Sequence, residues 1–210
     1  MSQPSQTLPV HSLIEAGLYL RVRPCAACGD GPLVADDVGI NHDADRHILA
    51  VPTVCRACNQ QAEFAFDTAG IELHESPVVF LSNIAPGAPI NHTDEPSRII
   101  DVADWLTLYS IIETEARTVA DRMESRQLHI SAARCIDEAL KFFDADNDLP
   151  PGDALFTDRS RDQFHRCPER FTRQNLIDLR NKLPVKRWPR IDLTSDEQSP
   201  SPAKRWWRPW

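Results

Sequence analysis

Two C-x-x-C pairs, Cys25-Ala26-Ala27-Cys28 and Cys55-Arg56-Ala57-Cys58, constrain this 210-residue chain more than any other feature. Such a turn aims two thiolates at one point, and the residue after it commonly needs a left-handed backbone, which Gly and Asn tolerate best. Gly29 and Asn59 stand at those two positions. Together the turns supply four sulfurs for a tetrahedral, coordinatively closed and therefore structural cation. The expectation is one structural Zn2+ held by Cys25, Cys28, Cys55 and Cys58. A redox dithiol, a 2Fe–2S cluster and unligated core cysteines are the alternatives. A redox C-x-x-C opens a helix in a βαβ setting, whereas these pairs read as following strands. Disulfides are disfavoured because the first twenty residues lack a basic start followed by an apolar run.

The strand reading comes from alternation. From Gly17, the residues Leu18, Leu20 and Val22 alternate with Tyr19, Arg21 and Arg23; Ile48 to Val54 is apolar; and Ala62, Phe64 and Phe66 alternate with Glu63, Ala65 and Asp67. With both cysteine turns entered from strands, residues 17–73 resemble the zinc-ribbon superfamily, in which two such turns at the ends of β-hairpins clamp one zinc ion. The resemblance implies fold and metal and hardly function, because ribbons occur in many roles. The 26 residues between Cys28 and Cys55 exceed the usual spacing of about 15–20, so an added loop around Val34 to His47 is expected to extend the hairpin.

Downstream the period changes. Val102, Trp105, Leu106, Tyr109, Ile112, Ala116, Val119 and Met123 recur at intervals of three and four, with Asp101 as N-cap, and Leu128, Ala132, Cys135, Ile136, Ala139, Leu140 and Phe143 form a second stripe. Two such helices with a short joint predict an antiparallel hairpin. Thr157 or Asp158, and then Thr172, are expected to cap short helices ending before Pro168 and Pro184. The fold class read from this is α+β: an N-terminal antiparallel β zinc ribbon, a small all-helical domain and a disordered C-terminal tail. The expected divisions are 1–9 disordered, 10–82 the zinc-ribbon-like β module, 83–100 a proline-rich connector, 101–184 the helical domain and 185–210 a disordered tail. Within 68–97, Ile71, Leu73 and Val78 to Leu81 suggest a further strand or two.

Function is less legible. The formal charge is −8, and residues 1–80 carry 4 basic against 10 acidic side chains. Nucleic-acid binders usually present a basic face, since neutralised phosphates supply most of the affinity. A transcription-linked ribbon using Arg21, Arg23, Arg56 and the tail is therefore the rival reading, not the first. Cys135 is expected to be a buried thiol and Cys167 a helix-end residue, while Asn41 to His47, with His42 and His47, reads as a polar loop or a second metal site. Asp144 to Asp148 lacks the glycine and glutamate of a calcium loop. No phosphate loop, nucleophile elbow or His-Glu-x-x-His helix occurs. An enzyme using His74, His92 or His165 between the domains is the third possibility. The basic end of the chain sets Trp206, Trp207, Arg208 and Trp210 together, the residue pairing favoured at interface hot spots. The first reading is thus a non-enzymatic, cytoplasmic zinc-binding adaptor that docks a protein partner, with no membrane span.

Overall fold

The computed structural model of the protein describes residues 7–36, 40–71, 90–144 and 146–185. A mixed sheet lies at the N-terminal end and five α-helices complete the α+β arrangement. The strands are β1 (Thr7–Pro9), β2 (Leu33–Ala35), β3 (Asn41–Asp43), β4 (Ile48–Cys55) and β5 (Gln61–Asp67). Their order is β1-β5-β4-β2, with β3 also paired to β4. The hairpin of β4 and β5 was expected from its alternation, and in β4 every second residue is buried.

Three expectations are corrected. Residues 7–9, read as disordered, form β1, which pairs parallel with β5 through Thr7–Ala65 to Pro9–Asp67, so the sheet is not purely antiparallel. The stretch from Gly17 to Arg23, read as a strand, belongs to helix α1 (Leu13–Val22). Its alternation was misleading because Tyr19 is buried along with Leu18, Leu20 and Val22, as are Leu13, Ile14 and Ala16 upstream. A helix wrapped by protein on every side shows no polar face to announce its period. The local signal was Ser12-Leu13-Ile14-Glu15, the sequence of a capping box: the Ser12 hydroxyl accepts the Glu15 N–H at 3.1 Å, and Glu15 Oε2 accepts the N–H of His11, one residue before the cap, at 2.5 Å. Finally, the first long stripe stops at Ala116. Val119 caps the helix end, and Met123 begins the next helix and is exposed.

The added residues between the cysteine pairs do lengthen the hairpin. Both β2 and β3 lie antiparallel against β4, β2 on Thr53 to Cys55 and β3 on Ile48 to Ala50. They part where Asp36 donates its N–H to the Pro52 carbonyl at 2.8 Å, because Pro52 has no N–H to return.

Helix α2 (Val102–Thr118) begins at Asp101, whose carboxylate accepts the Asp104 N–H at 2.9 Å as its N-cap. Helix α3 (Arg122–Leu140) follows after Val119 to Asp121, and the Ser125 hydroxyl donates to the Ala116 carbonyl at 2.6 Å across the joint. The small residues Ala132, Ala133, Cys135 and Ala139 are buried on α3 and permit close approach. Thr157 caps α4 (Asp158–Arg166) and Thr172 caps α5 (Arg173–Lys182), as read from the sequence, and Arg180 of α5 ion-pairs with Asp137 of α3. The buried apolar residues of α1, β4, β5 and the helices form one cluster, which Ile90, Ile99 and Ile100 of the preceding segment also enter. Tyr19 packs edge-on against Phe64 and Phe66, and Arg21 of α1 ion-pairs with Glu115 of α2. The helix α1 thus joins sheet to hairpin. The residues after Leu73 expected as strands, and the Trp-rich tail, lie outside the described residues.

Candidate metal centre

The two cysteine turns have the same construction. In the first, Cys25 donates its N–H to the Asp30 carbonyl at 2.6 Å and accepts the Gly29 N–H at 2.8 Å; in the second, Cys55 donates to the Gln60 carbonyl and accepts the Asn59 N–H, both at 2.9 Å. Each turn closes through a left-handed residue, Gly29 at φ 76° and Asn59 at φ 59°, the two positions singled out by chemistry. The first turn leaves helix α1, not a strand, and the second joins β4 to β5. Pairing of Leu33 with Cys55, and an Arg56 N–H donated to the Pro32 carbonyl at 3.0 Å, set the turns side by side.

Their sulfurs converge. Sγ of Cys25 lies 3.7 Å from that of Cys58, and Sγ of Cys28 lies 3.7 Å from that of Cys55. All four lie within 4.8 Å of one another. A tetrahedral site with metal–sulfur bonds near 2.3 Å has edges of about 3.8 Å, so the cluster already has the dimensions of such a site. Cys25 and Cys55 are buried while Cys28 and Cys58 face solvent.

The donor chemistry fits a cation. The N–H groups of Cys28 and Ala27 hold the Cys25 thiol down at about 7. Although the Asp30 N–H favours its thiolate, partial desolvation and the sulfurs of Cys58, Cys55 and Cys25 push Cys28 up to about 12. The Gln60 N–H likewise favours the Cys58 thiolate, yet partial desolvation and the Cys55 and Cys25 sulfurs leave that thiol raised. One thiolate forms readily in this cluster and further negative charge accumulates only against repulsion. A divalent cation removes that conflict, because it binds the deprotonated sulfurs. Four sulfurs at these distances fill the coordination shell of a tetrahedral cation.

The other singled-out residues lie apart from it. His42 Nε2 contacts the Thr68 hydroxyl at 3.2 Å, and the His47 carbonyl accepts from Thr68 N–H and hydroxyl at 2.7 and 2.8 Å. Among the described residues, the four cysteines are the only such group of close metal-ligating side chains. Cys135 is buried and its thiol pushed up by that burial, whereas Cys167 sits half-buried as the C-cap of α4. Asp148 lies beyond the end of α3, and its carbonyl and carboxylate accept the Arg173 and Gln174 N–H groups at the start of α5. His92 and His165 are exposed. His74, Trp206, Trp207, Arg208 and Trp210 lie outside the described residues. Among the described residues no helix is long and apolar enough to cross a membrane. Sequence reasoning missed Asp30 and Gln60, whose contribution is a backbone carbonyl and leaves no mark in residue type. The chain matches no protein family, no curated protein and no solved structure.

Proposed function

We propose that this chain is a non-enzymatic adaptor whose β module is stapled by one structural zinc ion in a zinc-ribbon-like site. The observation that supports it is the small cluster at the metal end of the sheet. There Cys25, Leu33 and Cys55 pack together and meet the main core through Phe64. So few apolar side chains cannot order two loops, and a metal bonded to four sulfurs supplies what they lack. Zinc suits a four-thiolate tetrahedron without redox chemistry, and closure of the site points to support in place of catalysis. Arg21, offered by the rival nucleic-acid reading as a phosphate contact, is engaged with Glu115 instead.

Elemental analysis of the purified chain is expected to find one zinc per chain. Chelation should then lower the melting temperature and open the segments around Cys25 to Cys58 to protease. Iron with visible colour, or a chain whose circular dichroism and protease resistance ignore the chelator, would contradict the staple. For the adaptor role, affinity capture with the zinc-loaded chain, with and without residues 203–210, should retrieve a protein partner. Retrieval of nucleic acid in its place, with affinity rising steeply as salt falls, would favour the rival.

A further inference from the structure

Two adjoining clefts, of about 860 and 760 Å³, share Arg159 as a common wall. The first lies between the Cys25 turn and the N-terminal ends of α2 and α4, bounded by Arg23, Ala26, Gln61, Asp104 and Thr157. The second runs between α2 and α4 toward the 3-10 turn Pro168–Phe171, over a floor that includes Ala103, Leu106 and Phe171, with Arg166 and Arg170 on its rim. Together they form a groove along one side of α2.

Its charge opposes that of the chain. Against a formal net charge of −8, the groove collects Arg23, Arg159, Arg166 and Arg170. Arg159, Arg166 and Arg170 are exposed, and among the described residues none is in an ion pair. Two acidic groups, Glu115 and Asp104, line the clefts as well. Glu115 is committed to Arg21, and burial beside Asp101 pushes Asp104 up to about 7. Nor do the hydroxyls along α2 compete as donors, because Thr107, Ser110 and Thr114 each donate to the carbonyl four residues back, at 2.7 to 2.9 Å. What the rim offers a ligand is chiefly guanidinium, over an apolar floor.

We propose that this groove binds a linear acidic peptide of a partner protein, its carboxylates on Arg159, Arg166 and Arg170 and an apolar side chain against the half-buried Ile111. Guanidinium pairs with carboxylate through two parallel hydrogen bonds, which gives such a rim both affinity and register. A nucleic acid fits less well. It needs a long basic track and aromatic faces for its bases, whereas Phe171 is buried in the floor and the neighbouring β module is acidic. The assignment rests on the adaptor reading and supplies the chemistry of its partner.

The test is selection of a displayed random dodecapeptide library on the zinc-loaded full chain, followed by fluorescence anisotropy of the enriched peptides. Enriched sequences should be net acidic with apolar residues interspersed. The double variant Arg159→Glu, Arg170→Ala should weaken them by roughly tenfold or more, while Arg122→Glu with Arg126→Ala, an equal charge change outside the groove, leaves them unaffected. Arg166→Gln provides a milder second variant, and an unchanged melting curve for each shows that the fold is intact. Enrichment without acidic bias, or acidic peptides that bind the double variant as well as the parent, overturns the groove and leaves the adaptor reading standing. So does failure to enrich any peptide when the same chain captures a protein from lysate. A random-sequence RNA that outcompetes the peptides overturns it in favour of nucleic acid.

Discussion

At the scale of single residues, the backbone just after each cysteine pair restricts residue type most sharply. Gly29 and Asn59 carry the positive φ that their positions after each cysteine pair demanded. Gly29→Ala should cost about 1 kcal/mol in denaturant-measured stability, since a Cβ in that backbone region is strained even though the space around it is open, whereas Asn59→Gly should be near neutral. Cys55→Ser, which removes the fully buried ligand, should abolish stoichiometric zinc in elemental analysis and lower stability by on the order of several kcal/mol. Asp104 was legible only as a first-turn acid. Its burial follows from the neighbouring turn and α4, which no local pattern announces. The carboxyl stands at about 7 against an ordinary 3.8, so the folded chain favours the protonated form. Stability from this group is complete below about pH 4, declines as pH climbs and is gone above about pH 7. Asp104→Asn should therefore melt close to the parent at about pH 4 and higher than it at about pH 8, a gap of roughly 1–3 kcal/mol after allowance for solvent screening. Melts across that range decide it.

At the scale of elements, the helices with one apolar face were readable and the helix without one was not. Periodicity located α2 and α3, and Thr157 and Thr172 marked the starts of α4 and α5. Helix α1 escaped because burial erases the contrast on which periodicity depends, and β1 escaped because three residues cannot display a period. In both cases tertiary contact decides what the local sequence leaves undecided. Asp101 shows how much one cap can carry. Fully buried, it accepts the Asp104 N–H through one oxygen and, through the other, the Phe156 N–H at 2.8 Å, fixing the start of α2 to the turn before α4. Asp101→Ala leaves both donors without that partner and should cost about 2–4 kcal/mol in chemical denaturation. Asp101→Asn, which keeps one acceptor oxygen, should cost less. Equal losses would show that the carboxylate does not bridge the two elements.

At the scale of the whole molecule, the continuous core has a thermodynamic signature. Sheet, α1 and helical hairpin share one buried cluster, and Arg21 with Glu115 ties α1 to α2. Scanning calorimetry of the zinc-loaded chain is expected to show a single transition with equal calorimetric and van't Hoff enthalpies; two resolved peaks would mean that the β and helical parts unfold separately. The sequence pointed instead to a change of composition near Asp101 and so to separate parts, because shared burial is invisible in a one-dimensional pattern. The break opposite Pro52 reaches furthest in its effect. A neighbouring copy seeking to add itself to that flank of the sheet meets two three-residue strands, β2 and β3, on separate stretches of β4 in place of an unbroken row of amides and carbonyls. Such a flank is a poor template for fibril growth, so a proline inside the longest strand helps keep the protein dispersed when it is abundant.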